Sequence, residues 1–434
     1  MKKNNNYYIR KGSLDSIKQI VVSESNQKAI NFTKKIKYKF LLKKIILIII
    51  YFAIIIWSET LYRDILFEKS VPLQEYLQKN EKLLIILKIS KKLSIFGKDI
   101  WYIFIFGIIF LLLPMNYSFL LLQSIIYSSY GTNTLKMIYQ SDRPNWKSEH
   151  LTYVCNYGYG NPSGHSFSSI SVYLTLAHIL ITYYNLSFIK SIIIFIFFIL
   201  ASFLIIISRV ILGAHSINQV LYGFNLGLGL YFILIHIIGY HKYSSIDFIQ
   251  HIRKIYTNII YYIIHISLLI IAIILYFNTK FLDHSELEKN VFNGIRCKIK
   301  KPFSKYKNHG FFQALSITSL IGAQLGINLL FFNLKYKNYI INYNIIEWNK
   351  SSIENNFLRL PIIIFSSFGI ILYYIIPKNS SIIIIFIFKS GIPFFFGIFG
   401  IYYLGIYLCI YLKLGNIEIC KVDALHEINS SDNN

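Results

Sequence analysis

Residues 162–184 read PSGHSFSSISVYLTLAHILITYY, a polar block that runs directly into an apolar segment. The segment, near Ser163–Tyr184, is long enough to cross a bilayer, since about 20 apolar residues span the hydrocarbon core. Ser163 is of a type that caps helix N-termini, and we predict that it is the N-cap of this helix. The stretch therefore predicts a membrane-spanning helix with polar side chains at its first turn.

The composition extends this prediction to the whole chain. The 434 residues are 55% hydrophobic and only 15% charged, and the mean hydropathy is +0.50. A soluble domain is less apolar than this, so the chain is predicted to be a polytopic membrane protein. The net charge of +24 then indicates loops facing anionic lipid, and we expect membrane lipids and no nucleic acid as partners.

Apolar segments recur along the chain and predict an all-α, polytopic membrane helix bundle of nine or ten spans. They lie near Leu41–Leu61, Ile100–Leu113, Tyr117–Tyr139, Ser163–Tyr184, Phe188–Ser208, Ile217–Tyr240, Ile255–Phe277, Phe312–Phe332, Leu360–Ile376 and Ile382–Leu412.

Four regions follow from this pattern. Residues 1–40 form a basic polar tail, 41–240 a core, 241–413 additional transmembrane helices and 414–434 a polar tail. The start of the chain is too long and too charged for a cleaved signal peptide, so the first apolar segment is interpreted as a retained anchor. Leu83–Phe96 has helical spacing and is either an interfacial helix or a solvated loop helix.

Charge also predicts orientation. Residues 1–44 carry twelve Lys or Arg against two acidic residues, which favours a cytosolic N-terminus. Counting spans then puts Arg143 on the lumenal or external face. The loops at 62–98 and 278–311 are rich in Lys and argue the other way. We expect an endoplasmic reticulum or other endomembrane location with a lumenal site.

Two further blocks accompany Pro162-Ser163-Gly164-His165. They are Lys136-x6-Arg143-Pro144 and Ser208-Arg209-x5-His215, each at the end of an apolar segment. Together the blocks supply three cations and two histidines on one predicted membrane face.

This set suits a phosphate ester. Hydrolysis places charge on the equatorial phosphate oxygens, which fixed cations stabilise, and Lys136, Arg143 and Arg209 meet that need. Backbone N–H groups at Ser163 and Gly164 and the positive end of the helix point at the same anion.

The histidines can take separate roles. His165 can protonate the leaving oxygen, and His215 can attack phosphorus. Gln219, one helical turn after His215, can accept the N–H of its second ring nitrogen. Two histidines suffice without metal, so we expect neither metal nor cofactor. The four cysteines, Cys155, Cys297, Cys409 and Cys420, lack metal-site spacing.

These blocks resemble the signature of the type 2 phosphatidate phosphatase superfamily, K-x6-R-P, P-S-G-H and S-R-x5-H-x3-D, over about residues 100–240. The resemblance implies a six-span phosphatase core followed by about three or four extra C-terminal spans. It also implies that Lys136, Arg143, Ser163, Gly164 and Arg209 bind phosphate, that His165 is the acid, and that His215 becomes phosphorylated. One position departs from the pattern, since Gln219 stands where the family usually has Asp.

The substrate remains open between two subfamilies. Glucose-6-phosphatases are similar in having Gln at position 219 and in Cys155-x2-Gly158-x-Gly160. Sphingosine-1-phosphate phosphatases are similar in the short gap between Pro144 and Pro162, in His215-Ser216-Ile217, and in the extra spans. A lipid phosphate such as sphingosine-1-phosphate or phosphatidate is slightly favoured over a sugar phosphate, because a membrane-face site admits an amphiphile.

A catalytically inactive phosphate- or lipid-binding protein, or a transporter using the same anion site, is the rival hypothesis. Gln219 and the extra spans favour it. The intact His165 and His215 oppose it, since binding phosphate requires cations and not two imidazoles.

Overall fold

The chain folds as a bundle of helices in a computed structural model. The model describes residues 6–148, 150–151, 153–154, 158–243, 248, 251–252, 254–281, 310–336, 339–341, 353–366, 390–412 and 419–421. Two compact units divide at Ile54 and Ile55, and everything described below about the site belongs to the second, Ile55–Asn434.

The first eight helices contain the sequence motifs. They are α1 (Asn6–Lys79), α2 (Leu84–Leu93), α3 (Asp99–Leu112), α4 (Met115–Tyr139), α5 (Pro144–Lys147), α6 (Gly164–Tyr183), α7 (Phe188–Ile211) and α8 (Ile217–Phe232). Short 3-10 turns, Glu81–Leu83 and Ser94–Gly97, flank α2. A π turn, Ile233–Ile238, extends α8 and a 3-10 turn follows at Tyr240–Lys242.

The remaining elements follow in the C-terminal half. They are α9 (Ile255–Phe281), α10 (Thr318–Tyr336, preceded by a 3-10 turn at Leu315–Ile317), α11 (Ile353–Ser366), α12 (Gly391–Gly400), a π turn (Ile401–Gly405) and α13 (Ile406–Tyr411). Strands β1 (Tyr339–Ile341) and β2 (Ile419–Lys421) pair antiparallel, with Ile340 opposite Cys420.

Seven helical stretches in the described residues are long and apolar enough to cross a membrane. They are Lys39–Lys79, Gly164–Tyr183, Phe188–Ile211, Ile217–Ile238, Asn258–Asn278, Gly310–Asn333 and Gly391–Tyr411; an eighth is the pair Glu81–Gly97 and Asp99–Leu112, bent by 49°. The prediction of a polytopic helical membrane protein is confirmed, and three of these stretches lie beyond the core.

The predicted number of spans differs from this set at two places. The segment Tyr117–Tyr139 forms α4, yet it is absent from the set because polar residues such as Ser118, Gln123 and Asn133 interrupt it. These side chains are buried against neighbouring helices, so α4 does not need a uniformly apolar surface. The segment predicted at Leu360–Ile376 begins within α11, but residues 367–389 lie outside the described part of the chain.

Alternating helix directions bring the motifs to one end of the bundle. α6 packs against α4, α7 and α8. Lys136 lies in the last turn of α4 and Arg209 in the last turn of α7, whereas His165 is in the first turn of α6 and His215 immediately precedes α8. Each motif therefore lies where the chain enters or leaves a helix, at the same end of the bundle.

Glycines set the close contact between α6 and α8. A Cβ at Gly227 would lie 2.7 Å from the Phe167 carbonyl oxygen and 2.9 Å from the Ile170 Cβ. Backbone and a branched side chain cannot move aside easily, so the separation of the two helices depends on a glycine at this position.

We expect Gly227→Ala to lower the free energy of unfolding by about 1–3 kcal/mol, because the added methyl group overpacks this contact. Gly107→Ala is the matched control, since a Cβ at Gly107 has no atom within 4 Å. Thermal unfolding in detergent measures both. A Gly227→Ala protein as stable as the Gly107→Ala protein would contradict this account of the packing.

Candidate active site

The helix caps place the two histidines. Ser163 is the N-cap of α6 as the sequence predicts, and its hydroxyl accepts the Ser166 N–H at 3.4 Å. His165 is therefore on the first turn of α6, where the helix presents free N–H groups. Ser216 is the N-cap of α8, and its backbone N–H donates to Gln219 Oε1 at 3.4 Å.

The amide of Gln219 fixes the state of the His215 ring. Gln219 Nε2 donates to the Asp142 carbonyl oxygen at 2.6 Å, and Oε1 accepts the Ser216 N–H. These two contacts orient the amide, so Oε1 is the atom 3.1 Å from His215 Nδ1. A carbonyl oxygen accepts, so Nδ1 carries the proton and Nε2 keeps a free lone pair.

Arg143 joins the two loops that meet at His215. Its Nε donates to the Gly158 carbonyl at 2.6 Å, Nη2 to the Tyr159 carbonyl at 3.1 Å, and Nη1 to the Ala214 carbonyl at 2.8 Å. Nη1 also lies 3.1 Å from His215 Nε2. The guanidinium thus occupies the side of the ring that carries the free lone pair.

The other two cations approach the same place. A Cβ at Gly164 would lie 3.8 Å from Lys136 Nζ and 3.1 Å from Thr132 Cγ2. Arg209 Nη1 donates to the Ser94 hydroxyl. Arg143, Arg209, Lys136 and His165 all interact electrostatically with His215, so the structure brings the predicted cations and imidazoles into one cluster.

Unpartnered polar atoms converge on the cluster. Within the described residues, His165 Nε2, Arg209 Nε and Thr132 Oγ1 are buried and make no hydrogen bond. Leaving buried donors unpaired is costly, and such groups are rare unless they serve a ligand. This part of the chain is therefore suited to bind an anion with several oxygen acceptors.

Burial sets the charge state of the groups in the loops. Burial, and then the cations Arg143, Arg209 and Lys136, hold the pKa of His215 well below its ordinary value of 6.5. Burial, followed by the charge of Arg209, lowers the pKa of Arg143 to about 9, which leaves the guanidinium charged at neutral pH. His215 is thus a neutral imidazole beside fixed positive charge.

The sequence analysis missed the side chains that hold these loops in place. Glu59 of α1 is fully buried; its Oε1 accepts from Asn161 Nδ2 at 2.8 Å and from Arg63 Nε at 2.7 Å. Gln74 Nε2 donates to the His215 carbonyl at 2.8 Å. A carboxylate inside the apolar segment Leu41–Leu61 is a signal that could have identified Glu59, because such residues are usually functional in membranes.

No described group of three or more His, Cys, Asp or Glu side chains is arranged to hold a metal ion. Cys409 is buried and free, while Cys155 and Cys297 lie outside the described residues. The anion cluster contains no carboxylate ligand set of the kind that Mg²⁺ or Ca²⁺ prefers.

A broad cleft of about 750 Å³ lies behind Gln219. It is lined by Arg63, Asp64, Phe67, Glu68, Val71, Pro72, Gln140, Ser141, Asp142, Lys147, Asn218 and Gln219. None of the three cations or two histidines of the cluster is among its lining residues. The cleft therefore reaches Gln219, whose amide contacts His215 Nδ1, but it does not reach the cations or the histidines themselves.

Comparisons with known proteins find similarity over part of this chain. Residues 117–243 match the family model of the PAP2 superfamily. A search of curated proteins finds no match. Among solved structures, the crystal structure of the first transmembrane PAP2 type phosphatidylglycerolphosphate phosphatase from Bacillus subtilis is 19% identical, with a TM-score of 0.38, covering 43% of this chain and 93% of that one. Residues 117–243, which contain all three sequence motifs, are thus similar to the PAP2 superfamily.

Proposed function

We propose that this protein is a metal-independent membrane phosphatase that hydrolyses phosphate monoesters through a phosphohistidine on His215. The observation that carries the proposal is the neutral His215, with its Nε2 lone pair directed at Arg143 and its Nδ1–H bonded to Gln219. A binding site for phosphate alone has no need of an imidazole fixed in this tautomer.

The first step forms a bond between His215 Nε2 and phosphorus and breaks the bond from phosphorus to the ester oxygen. His165, at the start of α6, enters this step as the imidazolium beside the bound phosphate dianion; it gives its proton to the leaving oxygen and becomes neutral. Arg143, Arg209 and Lys136 stabilise the charge that develops on the three phosphoryl oxygens. Arg143 exchanges its contact with Nε2 for a phosphate oxygen as the substrate enters.

The second step returns the enzyme to its starting state. Water attacks the phosphohistidine and gives a proton to His165, and phosphate leaves as His215 Nε2 regains its lone pair. Gln219 holds the ring throughout, because its amide is itself anchored to Asp142 and Ser216.

A lipid phosphate is the substrate that we favour. The charged cleft behind Gln219 is wide enough for a sugar, but none of the three cations or two histidines lines it. We also propose a lumenal site in an endomembrane such as the endoplasmic reticulum, which the basic N-terminus supports.

The nucleophile is tested by quenching the purified protein with phosphate-labelled substrate. We expect acid-labile label on His215, and loss of that label together with phosphate release in His215→Ala. The panel contains phosphatidate, sphingosine-1-phosphate, a polyprenyl pyrophosphate and glucose 6-phosphate.

Two results would decide against the mechanism. Label that persists in His215→Ala removes this residue as nucleophile, and activity that EDTA abolishes and magnesium restores removes metal independence. Phosphate binding with no release from any member of the panel would favour the inactive binding protein.

The amide at position 219 is predicted to act on turnover and not on affinity. In Gln219→Ala the His215 ring loses its orienting acceptor, so we expect kcat to fall by about 10- to 100-fold with KM nearly unchanged. Steady-state kinetics separates the two constants.

Gln219→Glu is the informative companion variant. A glutamate cannot donate to the Asp142 carbonyl that now lies 2.6 Å from Gln219 Nε2, and it adds negative charge near the substrate. We therefore expect Gln219→Glu, like the shorter Gln219→Asp, to be no better than the wild-type protein. Full turnover in Gln219→Ala would mean that another group orients His215.

The pH profile tests the charge state of the nucleophile. Because burial and neighbouring cations lower the pKa of His215, the free enzyme keeps a neutral imidazole as the pH falls through 6.5. We expect kcat/KM to decrease at acid pH with an enzyme pKa below 6.5. The pKa of the substrate phosphate is measured separately by phosphorus NMR, and its contribution to the profile is removed first. An enzyme pKa at or above 6.5 would contradict the buried, cation-flanked site.

A further inference from the structure

A second cavity of about 290 Å³ lies between the core and the C-terminal helices. Its lining residues come from α3, α4, α11, the Gly310–Asn333 span and the Gly391–Tyr411 span; they are Asp99, Ile103, Phe106, Gly107, Phe110, Leu122, Ile125, Ile126, Ser129, Gln313, Ser316, Ser319, Leu360, Ile364, Phe394, Ile398 and Ile401. Only the four from α4 fall within residues 117–243. The other lining residues lie outside the segment that matches the family model.

The cavity has a polar end beside the cation cluster. Asp99 Oδ2 accepts from Gln313 Nε2 at 3.3 Å, and the Asp99 carboxylate interacts electrostatically with Lys136. Gly97, two residues earlier, packs on the catalytic site directly, since a Cβ there would lie 2.6 Å from His165 Cδ2. The short segment Gly97–Asp99 therefore contacts His165 at one end and lines the cavity at the other.

The C-terminal half also lies beside the polar end of the cavity. A Cβ at Gly310 would lie 3.6 Å from the Asn133 carbonyl oxygen and 3.6 Å from Met137 Cγ. This contact puts the start of the Gly310–Asn333 span beside the turn of α4 that carries Lys136.

From that end the cavity becomes apolar. Along α3 the lining runs from Asp99 to Phe110, about 16 Å at 1.5 Å per residue. At the far end Phe110 packs edge-to-face on Tyr402, with ring centroids 5.2 Å apart. The wall is open to lipid near Ile103 and Ile364, which are 43% and 57% exposed.

We infer that this cavity binds the hydrocarbon chain of the phosphorylated substrate while its phosphate lies among Lys136, Arg143 and Arg209. The inference rests on the proposed function and adds the place where the alkyl or acyl chain of the lipid phosphate binds, a cavity lined mostly by residues outside 117–243. A volume of about 290 Å³ is near the lower limit for ligand pockets, about 300 Å³, and suits part of one chain. A hexose would leave its hydroxyl groups unpaired against Phe and Ile side chains.

Gly107 provides a variant that fills the cavity. It lies on the α3 face that carries Ile103, Phe106 and Phe110, and a Cβ at Gly107 meets no atom within 4 Å. Gly107→Phe therefore adds bulk where there is room, and replacing a helical glycine favours folding. Ile108→Phe is the matched control, because Ile108 is 38% exposed and does not line the cavity.

The first measurement compares kcat/KM for dipalmitoyl and dibutanoyl phosphatidate in mixed micelles. We expect Gly107→Phe to lower the long-chain to short-chain ratio at least about tenfold and Ile108→Phe to leave it within about twofold. An equal ratio in all three proteins would overturn the inference while leaving the phosphatase activity in place.

The second measurement does not require turnover. A non-hydrolysable phosphonate analogue with a diazirine in the middle of its alkyl chain is photolysed with each protein, and a phosphatidylcholine carrying the same group is the comparison. We expect the phosphonate to label the cavity helices in the wild-type protein and Ile108→Phe, but not in Gly107→Phe. Equal labelling by both probes would show that the cavity holds bulk lipid and would overturn the inference. This result can be read even if the protein releases phosphate from no substrate.

Discussion

Holding three cations together at one end of a membrane bundle, with Arg143 and Arg209 buried and Lys136 half-buried, is the constraint on which the site depends. Like charges repel strongly where water is excluded, and each cation also loses its hydration. The protein offsets this with oriented acceptors. Arg143 has three backbone carbonyls, Arg209 has the Ser94 hydroxyl, and Asp99 provides a carboxylate near Lys136. Most of these acceptors are neutral dipoles and not carboxylates. They therefore do not cancel the positive potential that the proposed phosphoryl transfer requires.

The same constraint explains why distant segments meet at the loops. Ser70 and Gln74 of α1 bind the backbone of Ile217 and His215, and Glu59 holds Asn161 next to the Pro162-Ser163-Gly164-His165 block. A phosphoryl site tolerates only small displacements of its groups, because its catalysis is mainly positioning and electrostatics. Helix α1 thus positions both histidine loops without contributing a residue to any of the three motifs.

The sequence predicts the parts of the site that are local and misses those that are distant. Ser163 as an N-cap and the pairing of Gln219 with His215 follow from spacing along one helix, and both are present. The partners Ser94 of Arg209 and Glu59 of Asn161 are separated from them by long stretches of chain, which no periodicity reveals. For the fold, hydropathy identified the lipid-facing helices well. The segment predicted at Tyr117–Tyr139 forms α4 although polar side chains interrupt it, because a helix surrounded by protein can bury such side chains.

The glutamine at position 219 is matched by its surroundings rather than being a degenerate aspartate. A Cβ at Gly160 would lie 2.3 Å from Gln219 Nε2 and 2.5 Å from the Asp142 carbonyl oxygen, so the pair that these two groups form requires a glycine beside it. The Asp142 carbonyl requires a donor at that place, which an amide has and a carboxylate lacks. The amide is thus held by the Asp142 carbonyl and the Ser216 N–H in the position that orients His215. In the proposed mechanism the neutral amide leaves the field of the three cations intact, so His215 remains unprotonated until the phosphate dianion binds.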